Sequence, residues 1–181
     1  MRFVLYLLCC FISEAVWAAD YSTQVENIKI EQVADNYVLD VDIIYNLSPL
    51  AKEALLKGIP LTWRVFIKVK QQGVFWDHSV EDFSLIFQIQ NHPLLGLYSI
   101  TNISSGTKDM FSTFFGALNY MSNIRALPLI NKALIKAKQK YYVVVKVKFE
   151  HELLPVPIRP FSYFDSQWAL SSSSVLCPLK N

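Results

Sequence analysis

The sequence predicts an α+β fold, namely a mainly antiparallel, sandwich-like β-sheet with two short helices. Three segments alternate apolar and polar residues with a period of two, so each predicts a strand with one buried face and one wet face. A wet face favours antiparallel pairing, because parallel strands are usually covered on both sides. The three segments are YVLDVDIIY (37–45), LTWRVFIKVK (61–70) and YYVVVKVKFE (141–150).

Other segments add strands through turn signals and the same alternation. The residues before 37–45 end in Ala34-Asp35-Asn36, a turn signal that predicts a hairpin. The turn 104–107 contains a glycine that can adopt a positive φ, so it predicts a second hairpin. The added strands are VENIKIEQV (25–33), EDFSLIFQIQ (81–90), LYSITNI (97–103) and KDMF (108–111).

Two helices are predicted between the strands. Ser48 followed by Pro49 is an N-cap with proline at the first helical position, and Gly58 stands where a left-handed C-terminal cap belongs. The second helix is expected from Ser112 to Met121, and a short helical turn is expected within LPLINKALIK (127–136). The predicted apolar stripe of the second helix consists of Phe114, Phe115, Leu118 and Met121.

The beginning of the chain has the three regions of a secretory signal peptide in their usual order. Arg2 precedes an apolar run from Phe3 to Ile12, and a small-x-small cleavage site ends at Ala18. The run is shorter than the ~20 residues that a transmembrane helix needs. The sequence therefore predicts a signal peptide at 1–18 and a single α+β domain at 19–181, with an uncleaved membrane anchor as the alternative.

The cysteine content indicates the cellular compartment of the protein, and the net charge indicates which classes of partner to expect. Cys9 and Cys10 leave with the predicted leader, so Cys177 alone remains and no intramolecular disulfide can form. A small extracellular protein would usually be stapled by disulfides, so we expect the bacterial periplasm. The formal net charge of +2 does not predict nucleic-acid binding. The basic stretch from Lys136 to Lys140 predicts a solvated face, with a peripheral membrane contact as the alternative.

Sequence motifs for catalysis or metal binding are absent. The histidines His78, His92 and His151 lack the i, i+4 pairing that places two metal ligands on one helical face. No Gly-x-Ser-x-Gly elbow occurs, and Cys177 has no histidine nearby in sequence to generate its thiolate. We therefore expect no enzyme activity, no metal and no cofactor. A hydrolase that uses His78 or His151 with a distant acid is the alternative.

The segment LPVPIRPFSYFDSQWAL (154–170) has two readings, architecture and recognition. Its prolines lack amide donors, so LPVPIRP cannot be a central strand and predicts a stiff, extended corner. Alternation then resumes in FSYFDSQWAL (161–170), which predicts a final strand. The alternative is a recognition surface, because aromatics and arginine are typical anchors of interfaces. This candidate interaction surface comprises Trp76, Asp77, Arg159, Tyr163 and Trp168.

The same segment resembles a bacterial family, the domain-of-unknown-function family 4390. The resemblance implies a secreted or periplasmic protein with no known activity and no catalytic residues. It also implies, through genomic association, a membrane sensor kinase of the nitrogen-regulation type as a partner. The features that carry it are the leader, LAKEALLKGIPLTWRVFI (50–67), Trp76-Asp77, LPVPIRPF ending at Phe161, and then Asp165, Trp168, Leu170, Ser171 and Ser172.

These observations predict an exported, non-enzymatic binding or accessory protein. The expected partner is an envelope or membrane protein, with at most peripheral contact to the membrane itself. A carrier for an apolar ligand, held between sheet and helices, is the alternative. The candidate lining residues of such a carrier are Phe66, Phe75, Phe114 and Phe115.

Overall fold

Two antiparallel sheets packed against each other form the framework of the protein. The computed structural model describes residues 21–180, so the predicted signal peptide lies outside the described residues. A three-stranded sheet and a six-stranded sheet, with three short helices, give a sandwich-like α+β fold. The predicted fold class is confirmed, and a helix of a single turn is added to the two that were expected.

The six-stranded sheet has one central strand, and the two ends of this strand lead to the two surfaces considered as candidate sites. In chain order the strands are β1 (Thr23–Val33), β2 (Asn36–Tyr45), β3 (Leu61–Gln71), β4 (His78–His92), β5 (Leu97–Asn102), β6 (Thr107–Phe111), β7 (Asn123–Asn131), β8 (Tyr141–Phe149) and β9 (Val175–Leu179). The small sheet has the order β1-β2-β7 and the large sheet the order β6-β5-β4-β3-β8-β9. The central strand is β3, which pairs with β4 on one side and with β8 on the other.

The helices begin and end largely where their sequence signals predict. They are α1 (Pro49–Leu56), α2 (Phe114–Ser122) and α3 (Arg159–Ser162), with 3₁₀ turns at Lys132–Leu134, His151–Leu153 and Ser166–Trp168. Ser48 caps α1, since its Oγ accepts a hydrogen bond from the Ala51 amide at 3.0 Å. Gly58 follows α1 with a φ of +83°, as predicted. Within residues 21–180, no helix combines the length and the apolar character needed to cross a bilayer.

The core lies between the sheets and follows the predicted alternation. The inward side chains of β2, β3 and β8 are all buried, and they join one apolar cluster. Burying an aliphatic or phenylalanine side chain stabilises the fold by about 1.5–3 kcal/mol relative to exposing it. The buried residues of these strands include Tyr37, Leu39, Val41, Ile43 and Tyr45, then Leu61, Trp63, Val65, Ile67 and Val69, then Tyr141, Val143, Val145, Val147 and Phe149.

One side chain of the second helix departs from the predicted stripe. Ala117 and Met121 are buried in α2, and Phe114 and Leu118 pack partly against the core. Phe115 is 79% exposed, so its assignment to the apolar stripe was wrong. It follows Phe114 directly and therefore lies about 100° around the helix from it.

The segment 123–131 is a strand, which the sequence analysis did not predict. A helical turn was expected in 127–136, but only Lys132–Leu134 adopts one. Alternation is broken here by Pro128, which lies beside a register shift, where Tyr37 pairs with Ile130 and Val38 with Pro128. Because β7 is an edge strand, the sheet tolerates a residue without an amide donor at this position.

The predicted final strand at 161–170 is also wrong. These residues form α3 and a 3₁₀ turn, and the last strand is β9, further along the chain. Pro160 lies in the first turn of α3, where a fixed φ favours a helix. Asp165 accepts a hydrogen bond from the Gln167 amide at 2.9 Å and so caps the 3₁₀ turn. The aromatic residues that alternate in this segment therefore belong to short helical turns and not to a strand.

The hydroxyl group of Tyr45 gives a test of the core. Its ring packs edge-on against Trp63 at 5.2 Å, but its buried oxygen has no hydrogen-bond partner among the described residues. Burial raises the pKa of Tyr45 far above its ordinary value. We expect Tyr45→Phe to raise the free energy of unfolding by about 1 kcal/mol, because it removes an unpaired polar group.

Urea denaturation at constant m-value measures this change. The matched control is Tyr141→Phe, because the Tyr141 hydroxyl is paired: it accepts from the Lys136 amide at 3.1 Å. That variant should lose stability. A loss of stability in Tyr45→Phe as well would show that the Tyr45 hydroxyl is satisfied.

Candidate functional site

The predicted interaction surface is divided between the two ends of β3. At one end Trp63 pairs with Phe149, and at the other end Gln71 pairs with Tyr141. Gln71 follows Trp63 by eight residues, which separates the two ends by about 26 Å in an extended strand. We call residues 72–77, which leave the Gln71 end, the β3–β4 loop. We call residues 150–172, which leave the Phe149 end, the C-terminal segment.

The structure therefore brings three of the five predicted site residues together and separates two from them. Arg159, Tyr163 and Trp168 belong to the C-terminal segment. Trp76 and Asp77 belong to the β3–β4 loop. The five residues do not form a single surface.

Trp168 is a core residue and anchors the C-terminal segment. Its side chain is 2% exposed and stacks on Phe149, with ring centroids 5.8 Å apart and an interplanar angle of 24°. Phe149 in turn packs edge-on against Trp63 at 5.2 Å. The assignment of Trp168 to an exposed surface was wrong, because its aromatic ring is used to hold the segment on the large sheet.

The carbonyl oxygen of Leu170 ties the segment to both sheets. It accepts one hydrogen bond from Thr23 Oγ1 at 2.6 Å and another from Trp63 Nε1 at 3.1 Å. The following serines pair with β8: Ser171 Oγ accepts from the Phe149 amide, and Ser172 exchanges two hydrogen bonds with Val147. The serine run thus satisfies backbone groups at the edge of β8.

His151 is held in an aromatic cage next to this anchor. Its ring stacks on Tyr163 at 5.0 Å and meets the edge of Phe149 at 5.1 Å. Its Nδ1 lies 3.0 Å from the Oγ of Ser162, which is buried. Burial lowers the pKa of His151, and the positive charge of Lys148 lowers it further.

Arg159 stabilises the turn that leads into α3. Its Nε and Nη2 both donate to the carbonyl oxygen of Leu154, at 3.1 and 2.9 Å. The guanidinium therefore fixes the backbone of the proline stretch, and only part of its donor capacity is left for a partner.

The outer side of the segment carries several exposed apolar side chains, which we call the aromatic patch. The patch consists of Val156, Phe161, Tyr163 and Phe164, with exposed fractions of 72, 72, 55 and 91%. The sequence analysis named only Tyr163 among them, because it assigned the phenylalanines to the faces of a strand. Pro160 in the first turn of a helix was the signal that could have placed them correctly.

A groove of about 290 Å³ lies between the C-terminal segment and α1. The charged side chains of α1 at the groove, Glu53 and Lys57, form an ion pair with each other at 2.7 Å. The groove therefore has an apolar lining and a charged edge, in which Asp165 adds a further carboxylate to this pair. Its apolar lining residues are Leu50, Ala54, Ile59, Pro157, Ile158, Phe161 and Trp168.

The geometry does not favour the hydrolase alternative. His78 begins β4 at the Gln71 end of β3, while His151 lies at the Phe149 end. Ser162, next to His151, is 2% exposed and donates its own hydroxyl proton to the Arg159 carbonyl at 2.8 Å. A nucleophilic serine would instead give that proton to the histidine and face the substrate.

In the part of the chain that the structure describes, no group of side chains is arranged for metal binding or for thiol catalysis. No three His, Cys, Asp or Glu side chains among residues 21–180 come together to hold a metal ion. Burial raises the pKa of the Cys177 thiol, which disfavours the reactive thiolate.

The four phenylalanines proposed for an apolar-ligand carrier do not share a cavity. Phe114 lines a small pocket of about 150 Å³ with Tyr98 and Leu56, below the size of a typical ligand site. Phe66 lies on the outer face of β3 under the guanidinium of Arg64. The other two are solvent-exposed, Phe75 in the β3–β4 loop and Phe115 on α2.

The β3–β4 loop is a built turn that projects apolar side chains into solvent. Asp77 accepts hydrogen bonds from the Gly73 amide at 3.1 Å and from the hydroxyl of Tyr142. The Tyr142 hydrogen bond, and then that of Gly73, lower the pKa of Asp77. A side chain at Gly73 would lie 1.9 Å from the carbonyl oxygen of Trp76, so the turn needs glycine there. Trp76 itself is 77% exposed.

The cage around His151 predicts a pH dependence of stability. A histidine whose folded pKa lies below its ordinary 6.5 contributes stability that is present above that value and is lost as the pH falls below it. The unfolded chain binds the proton more readily in this window. We expect His151→Gln to lose less stability than the wild type between pH of about 7.5 and about 5.5 in urea denaturation.

The control is Phe164→Ser, at an exposed position of the same segment. It removes no titratable group and should keep the wild-type pH dependence. An unchanged pH dependence in His151→Gln would show that the cage does not disfavour the charged imidazole.

Substitution of the two tryptophans of the predicted surface should change the stability of the protein by very different amounts. Trp168→Ala should lower the free energy of unfolding by about 3–5 kcal/mol, because it empties a buried stack. Trp76→Ala should change it by no more than about 0.5 kcal/mol, because that side chain touches mainly solvent. Chemical denaturation of both variants measures the difference. Equal effects would contradict the assigned burial.

Comparisons with known proteins place the chain in a family without assigning an activity. No curated protein and no solved structure matches it. A family model described as "Domain of unknown function (DUF4390)" matches residues 20–176, which is most of the chain. The resemblance noted in the sequence is confirmed, and the protein belongs to the DUF4390 family.

Proposed function

We propose that the protein is an exported, non-enzymatic accessory protein that binds an envelope protein through the aromatic patch and the adjoining groove. The observation that carries this proposal is the exposure of Phe161 and Phe164 on a segment whose backbone is fixed by buried contacts. Clustered apolar side chains that stay in water mark interaction sites, because their burial is gained only on binding.

The anchoring of the segment supports a binding role for its outer side. Trp168 and the Leu170 carbonyl fix its far end, and the His151 cage fixes its middle. Arg159 fixes the turn that leads into α3, between His151 and Tyr163 of the cage. A surface that is ordered before binding loses little conformational entropy on association, which favours affinity.

The groove indicates the chemistry of the partner. Its volume of about 290 Å³ accommodates a few side chains and is small for a buried ligand. Its charged edge consists of the Glu53–Lys57 pair and the carboxylate of Asp165. The partner surface that fits is therefore an apolar or aromatic protein segment, with Tyr163 and the free donors of Arg159 available for polar contacts.

Export is supported by a sequence pattern, and the type of partner by what the family resemblance implies. The signal-peptide pattern at 1–18 supports delivery to the envelope. Genomic association, implied by the family resemblance, supports a membrane sensor kinase as one candidate. Neither the fold nor the family match assigns a reaction.

Site-specific photocrosslinking in intact cells tests the proposal. A photoreactive side chain at Phe164 should give a crosslinked adduct with one envelope protein. The same group at Lys108, an exposed position on the edge strand β6, serves as the matched control and should not give that adduct. In addition, Phe161→Ser should weaken the Phe164 adduct without lowering the thermal midpoint, because Phe161 is mostly exposed.

Two outcomes would contradict the proposal. One is equal crosslinking of the same protein from positions 164 and 108. The other is a protein that folds normally, reaches the envelope and yields no adduct from position 164.

A further inference from the structure

The opposite end of the molecule carries a different surface, which the proposed function does not use. The tip of the β3–β4 loop presents three consecutive apolar residues, Val74, Phe75 and Trp76, with exposed fractions of 94, 86 and 77%. Three neighbouring side chains with such exposure form a protruding tip. The turn behind them is held by Gly73 and the Asp77–Tyr142 contact, so the tip is a fixed part of the fold.

A basic stretch lies beside this tip. The Gln72 amide donates to the Lys140 carbonyl at 2.8 Å, which joins the β3–β4 loop to the basic stretch from Lys136 to Lys140. Lys140 also borders two concavities at this end, one of which includes Asp77 in its lining. The other, of about 620 Å³, has no acidic residue of the described chain in its lining. Its basic lining residues are Lys132, Lys138, Lys140 and Lys180.

We infer that this end of the protein docks on the surface of an anionic lipid bilayer, with Phe75 and Trp76 at the level of the headgroups. Tryptophan is favoured at the membrane interface, where its ring is buried and its N–H stays wet. Each lysine near an anionic surface strengthens binding by about fivefold. The apolar tip and the lysines beside it supply both contributions at one place.

A bilayer fits this surface better than a free anion or a protein partner. Lysine is a mobile point charge, whereas fixed recognition of a phosphate or carboxylate usually employs arginine in a rigid fork. A protruding apolar tip beside lysines, whose side chains are long and mobile, suits a fluid, deformable partner. The inference is independent of the proposed function, because the aromatic patch lies at the other end of β3.

Binding to vesicles tests the inference. The protein should sediment with vesicles of phosphatidylcholine and phosphatidylglycerol, and only weakly with phosphatidylcholine alone. Binding should weaken as salt rises, since the charges are exposed and screened. Emission of Trp76 should shift to the blue on binding. Subtracting the signal of Trp76→Phe isolates this contribution from the buried Trp63 and Trp168.

Variants separate the apolar and the basic contributions. Phe75→Ser with Trp76→Ser should lower vesicle affinity by about tenfold or more. Lys138→Gln with Lys140→Gln should lower it by about tenfold or more and reduce its salt dependence. The matched controls have the same kinds of residues elsewhere: Leu94→Ser with Leu95→Ser in the β4–β5 turn, and Lys52→Gln with Lys108→Gln. Both controls should bind like the wild type.

Several results would overturn the inference. They are absence of binding to the anionic vesicles, equal loss in the control variants, or tip variants that bind as well as the wild type. Saturable binding of inorganic phosphate without vesicle binding would reveal an adventitious anion site. A photoreactive group at Phe75 that captures a protein and no lipid would identify a protein interface. Loss of the Phe164 adduct would leave the vesicle result unaffected, so the two proposals fail separately.

Discussion

One buried carbonyl group joins the parts of this molecule on which its candidate sites depend. The Leu170 oxygen accepts hydrogen bonds from Thr23 at the start of the small sheet and from Trp63 in the middle of the large sheet. Buried backbone carbonyls are costly without partners, so this pairing strongly favours one position of the chain. The stack of Trp168 on Phe149 and the serine pairings with β8 are then brought into register.

The central strand β3 keeps the two surfaces apart and fixes their relation. It is paired along its length with β4 on one side and with β8 on the other, which holds it inside the large sheet. The aromatic patch and the apolar tip of the β3–β4 loop therefore lie at opposite ends of β3. Their surroundings also differ. The charged edge of the groove beside the patch holds the Glu53–Lys57 pair and Asp165, whereas the concavity of about 620 Å³ at the other end has lysines and no acidic residue of the described chain in its lining.

Most of the strands could be predicted because the period of two is a local property of the sequence, and Val65 or Val145 needs no distant information to be placed inward. The C-terminal segment could not be predicted in the same way. Trp168 and Phe164 are both aromatic and share a parity, yet one is 2% and the other 91% exposed. The difference arises because Trp168 stacks on Phe149, a residue of β8. Asp77 likewise finds its partner, Tyr142, far along the chain.

These long-range contacts explain why the same residue types serve two purposes in this protein. An aromatic ring that finds a partner in the core, as Trp168 does, stabilises the fold. A ring that the fold leaves largely in solvent, as at Phe164 or Trp76, retains most of the free energy of burial for a later contact. The backbone at both exposed rings is held by hydrogen bonds: the Phe164 amide donates to the Phe161 carbonyl at 3.1 Å, and Asp77, next to Trp76, accepts from the Gly73 amide. Ordering these turns only to expose apolar side chains brings no stability to the isolated chain, and this is the physical ground for both proposed binding roles.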